Sequence, residues 1–185
     1  MDLKRIIKLC KRNHSKAQQE LYEAYKDELF FLSLKYCKGK ADAQDNLQDA
    51  FLSIFRNIKN YKNTGSFEGW MKRIVINKAI DKYKRNKQII LLDSDLLKEN
   101  TTIDEEQFSI NLDELLGHIQ NLPDQYRLVF NLYEVDGYSH KDIAELLCIS
   151  VNTSKSNLHR AKLLLKKRIQ LSIDMLDFKN PKYGS

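Results

Sequence analysis

Residues 138–168 read YSHKDIAELLCISVNTSKSNLHRAKLLLKKR, and their spacing predicts two helices joined by a tight turn. Ser139 is placed to cap the first, its hydroxyl accepting from a free backbone N–H. Asp142 puts negative charge near that helix's positive end. Ile143, Ala144, Leu146 and Leu147 give it an apolar face. Ser150 is a second capping residue, and a new helix opens at Val151. There Val151, Ser154, Leu158, Ala161 and Leu165 recur at three- and four-residue steps and are expected to face inward. The opposite face carries Asn152, Thr153, Lys155, Ser156, His159, Arg160 and Lys162. Between Val151 and Gln170 lie six Lys or Arg residues and no Asp or Glu. An ordinary solvated helical hairpin has the same periodicity. The paired caps, the short turn and the one-sided charge together point to a recognition helix entering a major groove.

Working outward, the chain has 185 residues, two Pro and six Gly. Its apolar residues fall mostly at helical spacing, so the expected class is all-α, as one large domain or two small ones. No apolar run approaches the ~20 residues that span a bilayer. The amino-terminal stretch lacks the apolar core of a secretion signal. Cys10, Cys37 and Cys148 are scattered without metal-ligand spacing, which suggests small thiols in a reducing, cytoplasmic compartment. The net charge of +6 is unevenly spread. From Arg56 to Ile90 ten basic residues face two acidic ones, whereas from Asp93 to Glu114 eight acidic residues face only Lys98. Two basic blocks around an acidic stretch suggest two surfaces for nucleic acid and a segment that avoids it.

From the amino terminus, a short helix is expected over Leu3 to Lys11. A second opens at Ser15, with Leu21, Tyr25, Leu29, Leu32 and Tyr36 on one stripe and Gly39 as a left-handed cap. Asp42 is expected to cap a third, with Leu47, Phe51, Ile54, Phe55 and Ile58 inward and Asp45, Gln48, Asp49 and Leu52 on another face. The turn-rich loop 61–66 leads to a helix capped by Ser66. Its polar face is mostly basic, including Lys72, Arg73, Asn77 and Lys78. Leu91 to Ser109 reads as a linker. Helices are then expected from Asn111 or Leu112, and from Pro123 to Gly137, with Tyr126, Val129, Phe130 and Tyr133 packing on the helix-turn-helix. A tail that frays follows Asp177.

No P-loop, GxGxxG, HExxH or GxSxG is present, the four histidines are scattered, and neither a catalytic constellation nor a cofactor is expected. Asp45 and Asp49, one turn apart, read as a solvated or protein-binding face rather than a metal site. Tyr61, Phe67 and Trp70 beside a basic helix are either the core of a small bundle or a platform for unpaired bases. Such stacking contributes ~1–3 kcal/mol per base.

Three stretches in order carry a family resemblance. DAQDNLQDAFLSIFRNI (42–58), YKNTGSFEGWMKRIVINKAIDKYKR (61–85) and LPDQYRLVFNLYEVDGYSHKDIAELLCISVNTSKSNLHRAK (122–162) resemble, in turn, three motifs of the two-domain, extracytoplasmic-function type of bacterial RNA polymerase sigma factors. The resemblance implies an all-α chain of two small helical domains joined by an acidic linker. Residues 1–90 would bind core polymerase and the minus-10 promoter element, 91–110 would form the linker, 111–172 would bind the minus-35 element, and 173–185 would be the tail. By the same resemblance Asp45, Gln48 and Asp49 would meet the β′ clamp helices. Asn77 would stand at a pocket for a flipped minus-10 base, and Tyr61, Lys62 and Ser66 in the loop that reads it. Trp70 would separate strands while Arg73 and Lys78 track phosphates. Thr153, Lys155, Ser156, His159 and Arg160 would meet minus-35 DNA, and the same domain would touch the β flap. An anti-sigma protein is an implied partner, and no small-molecule substrate is.

Two positions depart from the family's pattern. Ser154 replaces an apolar packing residue, and Asn157 replaces a cation that would contact a phosphate. Two other readings of the residues remain. A freestanding helix-turn-helix repressor or activator leaves the 45–49 and 61–85 faces without a role. A helical scaffold for protein contacts leaves both basic surfaces unexplained.

Overall fold

Amphipathic spacing becomes helix throughout the part of the computed structural model that is described: the backbone of residues 2–89 and 111–179, and the side chains of residues 2–86 and 111–174. No strand occurs among these residues. The chain divides into two compact units, Met1–Arg85 and Asn86–Ser185. The acidic stretch read as a linker, Leu91 to Ser109, lies outside the described residues.

In the first unit α1 (Leu3–Cys10) is capped by Asp2, and α2 (Ser15–Tyr36) by the His14 imidazole, whose Nδ1 accepts from the Ala17 N–H. Next come α3 (Lys40–Asn57), a 3-10 turn (Ile58–Asn60) and α4 (Phe67–Ile89). The apolar stripes close on one another, burying Leu21, Leu29, Ile54, Ile58, Met71 and Val75 completely. Two polar residues, Ser33 and Asn46, are buried among them. Asn46 Nδ2 donates to Ser33 Oγ and to the Val75 carbonyl, each at 3.2 Å, tying α2, α3 and α4 together. A buried amide with partners fixes register as well as adding energy.

Two expected caps are corrected. Gly39 is extended rather than left-handed (φ −178°, ψ −177°) and sits at the N-cap of α3. The chain leaves α2 through an extended, buried Cys37, so the helix end needs no left-handed residue. Asp42 does not cap α3. It lies in the first turn and accepts from Lys82 Nζ of α4 at 2.9 Å, a charge-assisted bond with a partner forty residues away that outcompetes the local one.

In the second unit Asn111 caps α5 (Leu112–Gln120), and Pro123 precedes α6 (Asp124–Phe130), which widens into a π-helical turn (Asn131–Val135). Gly137 supplies the positive φ (+70°) that ends this run. The helix-turn-helix is α7 (His140–Leu147) and α8 (Val151–Lys179). Ser139 and Asp142 form a reciprocal capping box at α7. Ser150 Oγ accepts from the Thr153 N–H at 2.9 Å at the start of α8. Leu128, Val129, Leu132, Ile143, Leu147 and Ala161 build the core. A cluster of Ile119, Leu122, Ala161 and Leu165, with Tyr126 and Phe130 against it, fastens α5 and α6 to α8.

Three expectations change here. Val151 is 40% exposed: the inward register of α8 starts at Ser154 and runs through Asn157, Leu158, Ala161 and Leu165. Asn157 is therefore buried, so this position is not a phosphate contact in this chain. The segment 173–185 is not all tail, because α8 continues to Lys179. Good helix formers without Gly or Pro follow Ala161, and nothing stops the helix earlier. Asn180 to Ser185 lie outside the described residues.

Candidate nucleic-acid interface

In the first unit the candidate surface starts where the loop meets α4. Ser66 Oγ accepts from the Gly69 N–H at 3.0 Å, the expected cap. A Cβ on residue 69 would lie 2.9 Å from that oxygen, so the glycine protects the cap. Ser66, Trp70, Arg73 and Asn77 then fall on one face of α4, at steps of four, three and four residues. Lys62, Ser66, Arg73 and Asn77 are exposed and Trp70 is half-buried. This face presents two cations, an amide and part of an indole.

Tyr61 is placed differently from what the loop's composition suggests. It is only 7% exposed, and its hydroxyl donates to the Gly65 carbonyl at 2.8 Å. Its ring packs on Phe67 at 5.0 Å and Trp70 at 5.3 Å, while Trp70 stacks on Phe67 at 5.4 Å. Lys11 Nζ donates to its carbonyl. Tyr61 thus supports the loop from beneath. The three rings form one block, with Trp70 as its solvent-facing member.

The basic face of α4 is less uniform than its sequence. Lys72 lies 2.6 Å from both Glu28 and Glu68, whose hydrogen bonds hold its ammonium above the usual lysine range. Lys82 is bound to Asp42, with the same effect. Lys78 is half-buried and lines a cleft of about 270 Å³ with Asp45, Gln48 and Asp49 of α3 and with Lys82 and Arg85. Lys78 therefore faces the acidic side chains, apart from the row of Arg73 and Asn77.

Asp45, Gln48 and Asp49 are all exposed on α3, as their spacing predicted. What the spacing did not reveal is the apolar groove beside them. About 480 Å³ is lined by residues that include Tyr22, Phe30, Phe51, Leu52 and Phe55, and Leu52 is 49% exposed. Tyr22 and Phe51 meet at 4.8 Å across α2 and α3, a pairing between separate helices that no local pattern encodes. An acidic row beside an exposed apolar groove suits a helical protein partner with basic and aliphatic side chains.

In the second unit Thr153, Lys155 and Ser156 stand exposed on the first turns of α8, and His159 and Arg160 are half-buried on the same helix. Thr153 Oγ1 is 2.8 Å from Ser150 Oγ, so it is steadied by the cap. Arg160 Nη1 reaches the Tyr126 hydroxyl at 3.5 Å, which aims the guanidinium from the far side. Lys162 pairs with Glu134 at 2.7 Å, removing one cation from the row. Tyr126 was expected as packing alone. Its second role depends on a residue thirty-four positions later.

Two helical units, one with a recognition helix and the other with an aromatic-backed basic face beside an acidic protein-docking face, define a class of modular DNA-binding proteins. Comparison with known proteins narrows it. The model for sigma-70 region 2 matches residues 21–89, and that for sigma-70 region 4 matches residues 112–165. The RNA polymerase sigma factor SigZ of Bacillus subtilis (strain 168) is 31% identical over 127 residues, covering 68% of this chain and 72% of that protein. The ECF RNA polymerase sigma factor SigW of the same organism is 28% identical over 183 residues, covering 92% of this chain and 98% of that protein. Among solved structures, the sigma factor RpoE from Bartonella quintana, in complex with the anti-sigma factor NepR, shares the fold with a TM-score of 0.52. It is 17% identical, and the match covers 82% of this chain and 96% of that one. The chain belongs to the sigma-70 family of RNA polymerase sigma factors, in its extracytoplasmic-function branch. It is a transcription initiation factor, which joins core RNA polymerase and brings it to promoter DNA. Sigma factors are DNA-recognition factors, and no described helix is long and apolar enough to cross a membrane.

Proposed function

We propose that this factor acts in the cytoplasm, without catalysis of its own, by dividing promoter recognition between its units. Residues 1–90 hold core polymerase and open the minus-10 region, 111–172 grip the minus-35 duplex, and the acidic segment 91–110 runs through polymerase's basic channel. Asp45, Gln48 and Asp49 meet the β′ clamp helices, with Leu52 and the neighbouring groove supplying apolar contact. The minus-35 unit also touches the β flap. On α4, Asn77 receives the extruded minus-10 base, Lys62 and Ser66 flank it, and Trp70 shields the separated strands. Arg73 tracks the phosphates, joined by Lys78 from the edge of the cleft. Tyr61 contributes by holding the loop. On α8, Thr153, Lys155, Ser156, His159 and Arg160 meet the minus-35 major groove and its phosphates. An anti-sigma protein that covers the α2–α3 groove is the regulator this reading expects.

The observation that carries the minus-10 assignment is the exposed row Ser66, Arg73 and Asn77 over a ring block. Base extrusion costs a few kcal/mol, which only a preformed receiving site recovers. Asn77→Ala is therefore expected to leave holoenzyme binding to duplex promoter within about twofold and to lower the permanganate-reactive open fraction by at least about tenfold. Equal losses in binding and opening would contradict the assignment of Asn77.

A further inference from the structure

Ser154 is fully buried in a register otherwise occupied chiefly by Leu158, Ala161 and Leu165. A buried hydroxyl needs a partner, and this one lies on the other helix of the motif. His140 Nδ1 is 2.9 Å from Ser154 Oγ. The same imidazole lies flat against the Tyr133 ring, with centroids 4.3 Å apart and planes at 19°. Tyr133 belongs to the π-helical turn, whose next residue, Glu134, pairs with Lys162 of α8. One ring thus joins three elements: the widened turn, α7, and the first turn of the helix that carries Thr153, Lys155 and Ser156.

We propose that His140 is a positioning residue for minus-35 recognition: clamped on Tyr133, its imidazole holds Ser154 and so sets the rotation at which α8 presents Thr153, Lys155 and Ser156 to the groove. The proposal rests on the reading of α8 as the recognition helix. Ser154 immediately precedes Lys155, so a shift of the buried hydroxyl turns the flanking exposed side chains with it. The geometry also makes the contact sensitive to protonation. A neutral ring can accept the Ser154 O–H. The imidazolium can only donate there, and the buried hydroxyl then needs another acceptor. Tyr133 and Glu134 from the π-helical turn and Lys155 from α8 are the titratable groups that face the ring. Burial, and then the Lys155 ammonium, hold the imidazole below the ordinary histidine range. Glu134 opposes them, though its carboxylate is engaged by Lys162.

The test uses holoenzyme rebuilt from the full chain and core polymerase, with a promoter recovered from a random library. Affinity is measured with the minus-35 element intact and scrambled, and the ratio is read, since non-specific electrostatic changes cancel in it. His140→Phe and Ser154→Val each orphan one polar group and are expected to lower the ratio about fivefold. The double variant, with both groups apolar, is expected to recover most of that loss. Wild type is expected to lose ratio as pH falls from 7.5 to 5, that is, below the ordinary histidine value of about 6.5. His140→Asn, which keeps a hydrogen-bonding atom at the reach of Nδ1 and does not titrate, should lose less of the ratio than wild type over the same range, since His159 is common to both, and an equal loss overturns the proposal. The wild-type arm needs no variant, so a flat profile there overturns the proposal even if the single variants fail to fold. A wild-type ratio unchanged with pH, or no recovery in a folded double variant, overturns the proposal. Thr153→Ala and Lys155→Ala are run in parallel. If neither lowers the ratio, the recognition-helix reading fails. If they lower it while the His140 and Ser154 variants do not, only the positioning proposal fails.

Discussion

At residue scale, Arg127 holds one corner of the second unit together. It is 4% exposed and donates to the carbonyls of Gln120 and Leu122 at 3.0 and 2.8 Å and to Asp124 at 2.6 Å. It therefore satisfies the carbonyl end of α5 and locks the turn into α6. Arg127→Ala should destabilise this unit by roughly 1–3 kcal/mol, because the buried Leu122 carbonyl loses this donor while Asp124 is exposed to water. Native-state hydrogen exchange at the α5 and α6 amides reads that loss, and Arg127→Lys should restore only part of it, since an ammonium does not span the three acceptors. Cys148 shows the opposite case. It ends α7 in the left-handed region (φ 54°, ψ 51°), at an expense that glycine avoids. Cys148→Gly should stabilise the unit by about 0.5–1 kcal/mol after the extra freedom of the unfolded chain is subtracted. A lower urea midpoint for that variant would contradict this reading. His140 adds a pH dependence whose sign is fixed by its lowered pKa. The fold prefers the neutral ring, so its contribution is complete above the unfolded value of about 6.5 and is lost as pH falls from there through the folded value. His140→Asn removes that part of the acid sensitivity.

At the scale of elements, the caps decide where the functional helices start. Ser150→Ala should cost about 1 kcal/mol and raise exchange chiefly in the first turn of α8, with Thr153 losing its hydroxyl partner. If the loss spreads evenly over α5 to α8, the cap is not acting locally. How much of this was legible follows from where each partner lies. Ser66, Ser139 and Ser150 could be read as caps because each bonds a backbone N–H three residues away. The apolar stripes of α2 and α3 were legible for the same reason, being set by period. Asp42 was misread because its partner, Lys82, is forty residues distant. Tyr61, Phe67 and Trp70 could be read as bundle core or as a stacking platform, because nothing local shows that Phe67 and Trp70 pack on the Tyr61 ring. The left-handed turn at Cys148 was hidden by the absence of glycine. The π-helical turn was hidden because its pattern differs from α-helix by a single residue. At the site, the exposed row Arg73 and Asn77 was visible, whereas the pairing of Lys72 with Glu28 was not.

At the scale of the whole molecule, charge divides by task in the proposed mechanism. Lys155 is exposed, and in the proposed mechanism it meets minus-35 DNA, so Lys155→Ala should lower the salt dependence of promoter binding by about one counterion. In the same mechanism Asp45 and Asp49, both exposed, are proposed to act on polymerase. Asp45→Ala should weaken association with core about tenfold while leaving the helicity of the free chain unchanged, because the residue is exposed on α3. Loss of structure in that variant would place Asp45 in the fold rather than in the interface. The central claim is that this chain lets an enzyme it does not contain begin transcription at chosen sites. Run-off transcription with purified chain, core polymerase and a broad promoter library tests it most directly. The expected result is transcripts with defined 5′ ends from a subset of templates, abolished or greatly reduced by Asn77→Ala. No specific transcript from any template, with no association between the chain and core polymerase, would contradict it.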